Sequence, residues 1–148
     1  MLIKVLYSTF MFMNKLIVYF ALLCIFMSCS LSGDDEPNYH FEVLPIESVE
    51  IPDAFTLGEI YPITVSYFKP SSCYTFSDFY YLSELNERTI AVINTVFDDE
   101  VCTQALELTD ATFNFKVISN GSYIFKFWQG KDENGEDLYY TVEVPVVD

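Results

Sequence analysis

Positively charged side chains are scarce in this chain, which has 7 Lys and Arg residues against 22 Asp and Glu residues in 148 positions. The formal net charge is therefore −15. Nucleic-acid binding needs clustered basic side chains that neutralise phosphates, so the composition argues against a nucleic-acid partner. Apolar residues nevertheless make up 51% of the chain, which is ample for the core of one domain.

The chain has a single histidine, His40. Nucleophilic catalysis of the Ser-His or Cys-His kind needs a histidine base, and a zinc centre needs several His or Cys ligands. Paired carboxylates of the glycosidase kind stay open, since acids are numerous. A hydrolytic cleft usually asks for a larger scaffold, so we expect no enzyme activity, no catalytic residue and no cofactor.

The first 28 residues differ from the rest, since they hold all four methionines and two lysines but no acid. Lys15 precedes twelve uninterrupted apolar residues at 16–27. This run is too short for a membrane-spanning helix of roughly 20 residues, but it suits the core of a signal peptide. We predict a signal peptide over residues 1–28, with Met13 as an alternative start. Removing it deepens the net charge to −17, from 5 basic and 22 acidic residues.

The sequence Phe-Met-Ser-Cys at 26–29 resembles the bacterial lipobox. The resemblance implies cleavage before Cys29 and acylation of that cysteine, which would attach the protein to a membrane. Ordinary secretion, with Cys29 left as a thiol, is the alternative.

The residues after Cys29 bear on where such an anchor would lie. In the lipoprotein pattern, Ser30 in place of aspartate implies the outer membrane, with the domain facing the periplasm or the cell surface. The acidic segment 32–36 is similar to the tether of Bacteroidota surface lipoproteins, although it also reads as a flexible linker. We therefore interpret residues 29–40 as a lipidated tether and residues 41–148 as the folded domain.

Two cysteines, Cys73 and Cys102, remain after the anchor. An even pair in an exported domain predicts a disulfide, which would be worth roughly 3 kcal/mol. Two buried free thiols are the alternative. A metal site is not expected, since the only histidine lies far away in sequence.

Short alternating strands dominate the rest of the chain. Residues 60–68, for example, place Ile63, Val65 and Tyr67 on one face, as a half-buried strand does. The seven predicted strands are 41–51, 60–68, 73–82, 89–97, 111–118, 122–129 and 138–147. This number and spacing predict an all-β, antiparallel β-sandwich.

The segment from Asn120 to Phe125 resembles the "tyrosine corner" of immunoglobulin-like domains, in which the hydroxyl of a tyrosine, here Tyr123, bonds to upstream backbone. Phe125 stands where antibody domains have their second core cysteine. The layout is similar to that of flavobacterial-type Bacteroidota lipoproteins with an immunoglobulin-like β-sandwich. The resemblance implies a seven-stranded immunoglobulin-like sandwich.

Two groups of residues are candidates for ligand contacts. Asp132, Asn134 and Asp137 gather oxygen atoms around a turn and form a weak calcium candidate, with a solvated turn as the simpler interpretation. Among the aromatic residues, Trp128 is the candidate for stacking on a sugar ring. The other aromatic side chains that could point outward are Tyr80, Tyr81, Tyr139 and Tyr140.

We therefore expect a lipid-anchored envelope protein that acts as a binding module for a protein or glycan partner. The alternatives are a passive structural lipoprotein, a carbohydrate-binding accessory protein, and a small hydrolase or protease inhibitor. The last of these rests on fold analogy alone.

Overall fold

The computed structural model describes residues 38–98 and 101–147, and all regular structure within them is β-strand. The strands are β1 (Tyr39–Leu44), β2 (Ile46–Glu50), β3 (Phe55–Thr56), β4 (Ile60–Lys69), β5 (Tyr74–Glu84), β6 (Glu87–Phe97), β7 (Glu107–Lys116), β8 (Ser122–Lys131) and β9 (Asp137–Val147). The predicted signal peptide and lipidation site, residues 1–29, lie outside the described residues. Within residues 38–98 and 101–147 we find no helix with the length and hydropathy needed to cross a bilayer.

The strands form two sheets, which confirms the predicted β-sandwich. The larger sheet has six strands, and β6 lies at its centre. One edge of β6 pairs with β5, while the other edge pairs with β8 near the start of the strand and with β1 near its end. Strands β9 and β3 continue this sheet beyond β8, and the smaller sheet has the order β2-β4-β7.

The predicted single strand at 41–51 is divided at Pro45 into β1 and β2, which belong to different sheets. Proline has no backbone N–H for a sheet ladder, so the chain leaves the first sheet here. Leu44 and Ile46, on either side of Pro45, are both buried in the core, each reaching it from its own sheet. This division and the two-residue strand β3 give nine described strands rather than the seven expected.

The expectation of a wholly antiparallel sandwich is wrong for two strand pairs. Residues 87–90 of β6 run parallel to residues 124–127 of β8, and β3 runs parallel to β9. Between β6 and β8 the chain crosses to the smaller sheet as β7 and then returns. Two reversals of direction restore the original one, which makes β6 and β8 parallel.

The predicted alternation along the strands is confirmed by burial. Strand β4 buries Ile63, Val65 and Tyr67, and β8 buries Tyr123, Phe125 and Phe127. Most buried aromatic side chains pack edge to face or tilted, with Phe115 5.1 Å from Phe125 between ring centroids, whereas Phe125 and Phe127 are stacked with their centroids 6.0 Å apart. The core therefore lies between the two sheets, and the opposite face of the larger sheet is left for other contacts.

The turn into β8 has the hydrogen bonds that the tyrosine corner predicts. The Tyr123 hydroxyl accepts hydrogen bonds from the backbone N–H groups of Ile118 and Ser119, at 3.1 and 3.0 Å. The buried ring of Tyr123 packs on Phe115, 4.9 Å away between centroids. A single side chain thus ties the loop after β7 to the core.

Cys73 and Cys102 lie at disulfide distance, with their Cα atoms 5.5 Å apart, which confirms the predicted pairing. Hydrogen bonds beside them hold the two segments together. The Ser72 N–H donates to the Thr103 carbonyl at 3.1 Å, and the Thr103 N–H donates to the Ser72 hydroxyl at 3.0 Å. The segment 101–105 is therefore held against the start of β5.

Candidate functional site

The outward face of the larger sheet has a concavity with a volume of about 470 Å³, which we call the outer-face groove. Strand β6 provides its floor, because Thr89, Ala91 and Ile93 alternate outward while Ile90 and Val92 point into the core. Nine residues line the groove: Val43, Tyr80, Thr89, Ala91, Ile93, Trp128, Lys131, Asp137 and Tyr139.

Three aromatic side chains form the walls of the groove. Tyr80 on β5 lies opposite Ala91, and Trp128 on β8 lies opposite Tyr139 on β9. Because Ala91 is small, the floor between Tyr80 and Trp128 is recessed. The result is a shallow apolar trough with aromatic walls, which is the usual composition of a ligand site.

The indole of Trp128 is held in place by its neighbours. Its Nε1–H donates to Oδ1 of Asp137 at 2.9 Å, and the same oxygen lies 2.9 Å from the Lys131 ammonium. The hydrogen bond from Trp128, followed by the contacts with Lys131, lowers the pKa of Asp137. Asp137 therefore stays ionised near neutral pH, and its carboxylate remains an acceptor for the indole N–H there.

A second cation lies at the edge of the groove. The Lys126 ammonium stands 5.3 Å from the centroid of the Tyr139 ring, and it forms an ion pair with Glu87 at 3.4 Å. Such a contact orders both the ring and the lysine, and at exposed sites it contributes about 0.5–1 kcal/mol. Lys126 and Trp128 belong to the same, partly exposed phase of β8.

The structure brings together only some of the aromatic residues named from the sequence. Tyr80, Trp128 and Tyr139 line the groove. Tyr140 is the cross-strand partner of Phe127, whose side chain faces inward, so Tyr140 lies on the opposite side of the sheet from Tyr139. It is exposed, but away from the groove. Tyr81 also points to the other side of its sheet, where its ring lies 6.3 Å from that of Phe113 on β7.

The residues of the calcium candidate form a tightly bonded turn between β8 and β9. Oδ1 of Asp132 accepts the backbone N–H groups of Asn134 and Glu136, at 2.8 and 2.9 Å. These bonds lower the pKa of Asp132, and the bond from the Glu136 N–H has the largest effect. Asp137 faces Trp128 and Lys131 instead, and the part of the chain that the structure describes has no group of three or more His, Cys, Asp or Glu side chains placed to hold a metal ion.

His40, expected in the tether, belongs to β1. Its Nδ1 lies 3.0 Å from a carboxylate oxygen of Asp98, and its Nε2 lies 3.9 Å from Glu42. The half-exposed imidazole therefore bridges two acids at the rim of the larger sheet.

A second concavity, with a volume of about 550 Å³, opens between the two sheets where the edge strands β5 and β7 face each other. Sequence reasoning did not single out its innermost charged residue, Arg88, which is only 6% exposed. The sequence could have indicated its burial, because Arg88 lies two residues before Ile90 and alternation places both side chains on the same face of the strand.

A family model described as the ORF11 beta-sandwich domain matches residues 63–144. The matched region begins in β4 and ends in β9, so it covers more than half of the chain and every residue lining the outer-face groove except Val43. No significant match was found among curated proteins or among solved structures.

Proposed function

The chain belongs to the ORF11 beta-sandwich domain family, and from this premise we propose that it is a non-catalytic binding module at the cell envelope. In this proposal Cys29 carries a lipid that holds the protein at the outer membrane, and the acidic tether presents the domain to the periplasm or the cell surface. The mature chain has a net charge of −17, from 5 basic and 22 acidic residues, which favours a solvated domain held away from acidic surfaces.

The outer-face groove is the observation that carries the binding role. Sheet faces of monomeric domains rarely expose contiguous apolar surface unless it is used. The exposed apolar side chains extend from the groove along β1, where Tyr39, Phe41 and Val43 are 50%, 62% and 43% exposed. These three residues pair with the outward phase of β6, so they share one face with Tyr80 and Trp128.

The ligand that suits this groove best is a neutral oligosaccharide. Its apolar ring faces would stack on Trp128 and Tyr80, while its hydroxyl groups would meet Thr89, Lys131 and Asp137. A neutral ligand also avoids repulsion by a mature chain with a net charge of −17, from 5 basic and 22 acidic residues. The fixed indole is ordered before binding, which reduces the entropy lost when the ligand is immobilised.

The sandwich is, within this proposal, of the immunoglobulin-like kind. The support is the hydrogen bonding of Tyr123 to Ile118 and Ser119 at the entry to β8. The parallel pairing of β6 with β8 is a departure from a purely antiparallel arrangement.

The test is calorimetric titration of the full chain with cellohexaose and maltohexaose. We expect one of them to bind, and we expect Tyr80→Ala to weaken that binding about tenfold, the loss of roughly 1.4 kcal/mol of stacking. Tyr140→Ala is the matched control, because Tyr140 is as exposed as Tyr80, at 48% against 47%, but lies away from the groove. Equal losses in the two variants would contradict the groove as the binding surface.

A further inference from the structure

Arg88 is the only arginine in the chain, and it is nine-tenths buried on the inward face of β6. Its Nη1 donates to the backbone carbonyls of Leu85 and Glu87, at 2.9 and 2.6 Å. The guanidinium carbon lies 5.0 Å from the centroid of the Tyr123 ring. The guanidinium also forms a hydrogen bond with the hydroxyl of Tyr81, which lines the same concavity. None of these contacts supplies a full negative charge.

No carboxylate forms an ion pair with Arg88 among residues 38–98 and 101–147, although the chain has 22 acids. Taking a cation out of water without a counter-charge costs several kcal/mol. Buried arginines are therefore normally paired. An unpaired one that borders open space is a ready partner for an anion from outside.

Arg88 borders the second concavity, which lies between β5 and β7 and has a volume of about 550 Å³. We call it the inter-sheet cleft. Phe79 and Phe113 form an apolar wall there, with their ring centroids 5.1 Å apart. Ser83, the cross-strand partner of Arg88, also lines the cleft, as does Lys116. The volume lies within the range of small-molecule sites, about 300–1,000 Å³.

The charges lining the cleft select the kind of anion. Arg88 and Lys116 are positive, and Asp78 is the one carboxylate among the lining residues. The Asp78 side chain already accepts the backbone N–H of Phe79 at 2.8 Å. The balance of one positive charge suits a single carboxylate, and the phenylalanine rings suit an apolar body attached to it.

We propose that the inter-sheet cleft is a second binding site, which takes a small organic acid with an apolar body and pairs its carboxylate with Arg88. Besides its Nη1 contacts and its hydrogen bond with Tyr81, the guanidinium has further N–H groups, and a carboxylate accepts two such bonds side by side. Lys116 adds attraction at the mouth of the cleft. This site is separate from the outer-face groove, because Arg88 points to the opposite face of β6 from Thr89 and Ala91.

The test uses phenylacetate as the probe and phenylacetamide as its uncharged isostere, each titrated calorimetrically into the full chain. We expect phenylacetate to bind at least tenfold more tightly than phenylacetamide, because hydrogen bonds between two charged groups are stronger than those to a neutral amide. Arg88→Met should remove at least tenfold of the affinity for phenylacetate. Lys116→Met should weaken it about threefold, since attraction by an exposed charge is screened by solvent and salt.

The controls separate the site from general charge effects and from unfolding. Lys131→Met removes one positive charge at the outer-face groove and should leave phenylacetate affinity unchanged, as should Tyr80→Ala. If Arg88→Met fails to fold, the threefold effect of Lys116→Met decides the matter.

Three outcomes would overturn the proposal. They are equal affinity for phenylacetate and phenylacetamide, no loss of affinity in Lys116→Met beyond that in Lys131→Met, and absence of phenylacetate binding. Inorganic phosphate is a further probe. If phosphate displaced phenylacetate when the two are at equal concentration, the proposal that the ligand needs an apolar body would be overturned.

Discussion

The indole Nε1–H of Trp128 donates a hydrogen bond to Oδ1 of Asp137 at 2.9 Å. Asp137 is the first residue of β9 and Trp128 belongs to β8, so this bond links the two strands across their hairpin. The same oxygen also receives the Lys131 ammonium. One exposed carboxylate thus fixes the largest ring in the outer-face groove, which a strand backbone alone would leave free to change rotamer.

We expect Asp137→Ala to release the Trp128 indole without unfolding the domain. Because Trp128 is the only tryptophan, its fluorescence anisotropy should fall and its emission spectrum should change. The affinity for the oligosaccharide that binds the chain should fall about threefold to tenfold, as ordering of the ring would then accompany binding. Asp53→Ala, which removes an exposed carboxylate from a bend before β3, is the matched control; the idea fails if both variants behave alike.

A second prediction concerns the pH dependence of the turn between β8 and β9. The backbone N–H groups of Glu136 and Asn134 lower the pKa of Asp132 below its ordinary value of 3.8. Ionised Asp132 therefore stabilises the fold fully above the unfolded-state pKa, and this contribution is lost as the pH falls through the lower folded-state pKa.

The measurement compares thermal unfolding of the chain with that of Asp132→Asn. The chain should be the more stable near neutral pH, and the difference should shrink below about pH 4. Glu133→Gln is the control, because it removes a charge from the same turn without removing a backbone acceptor. A difference that stays constant down to about pH 2 would contradict the role given to Asp132.

Tyr123→Phe should destabilise the domain by about 1–2 kcal/mol, because the N–H groups of Ile118 and Ser119 lose their acceptor. The full cost of burying them is not expected, since Ile118 and Ser119 are exposed and water can replace the hydroxyl. Chemical denaturation measures the change. Tyr61→Phe gives a scale, because its hydroxyl accepts only the Thr56 N–H, and it should cost less than Tyr123→Phe.

Removing the bond between Cys73 and Cys102 should destabilise the domain by about 3 kcal/mol, because a loop with a sequence separation of 29 is closed. The double substitution Cys73→Ser with Cys102→Ser should match the effect of a reductant on the unaltered chain. Mass spectrometry without reduction should find the two cysteines linked. Recovery of two alkylatable thiols from the folded, unreduced chain would show that the pair is not bonded.

Cys29→Ser should move the protein from the membrane fraction to the soluble fraction and abolish labelling with a radioactive fatty acid. The physical reason is that acyl chains supply about 0.8 kcal/mol of membrane affinity per buried CH₂ group. Cys24→Ser is the matched control, because Cys24 lies in the same apolar run but follows a leucine rather than a small residue. Unchanged membrane association of Cys29→Ser would exclude the anchor.

Several features of the fold followed from local sequence alone. The alternation at Ile63, Val65 and Tyr67 predicted which face of β4 is buried, because side chains in a strand alternate whatever the neighbouring strands are. The bonding of Tyr123 to residues four and five positions earlier is also local. The pairing of Cys73 with Cys102 followed because only these two cysteines remain after the predicted anchor.

Pairing between distant strands could not be predicted in the same way. Period-two patterning says which side chains are buried but not which strand lies alongside or in which direction it runs. The passage of the chain between sheets at Pro45 and the parallel pairing of β6 with β8 depend on contacts across many residues. These two features explain why the sequence predicted one strand over 41–51 and a wholly antiparallel sandwich, whereas the structure has a division at Pro45 and a parallel pair.

The same limit applies to the two candidate sites. Sequence alone determined that Trp128 and Lys126 share a face and that the chain is acidic, because both depend only on composition and local phase. Only the tertiary structure decided that Tyr80 joins Trp128 while Tyr140 does not, and that Arg88 borders a cleft and has no carboxylate partner among the residues that the structure describes. The physical reason is that a groove or a cleft is a property of neighbouring strands, and strand neighbours are chosen by the packing of the whole core.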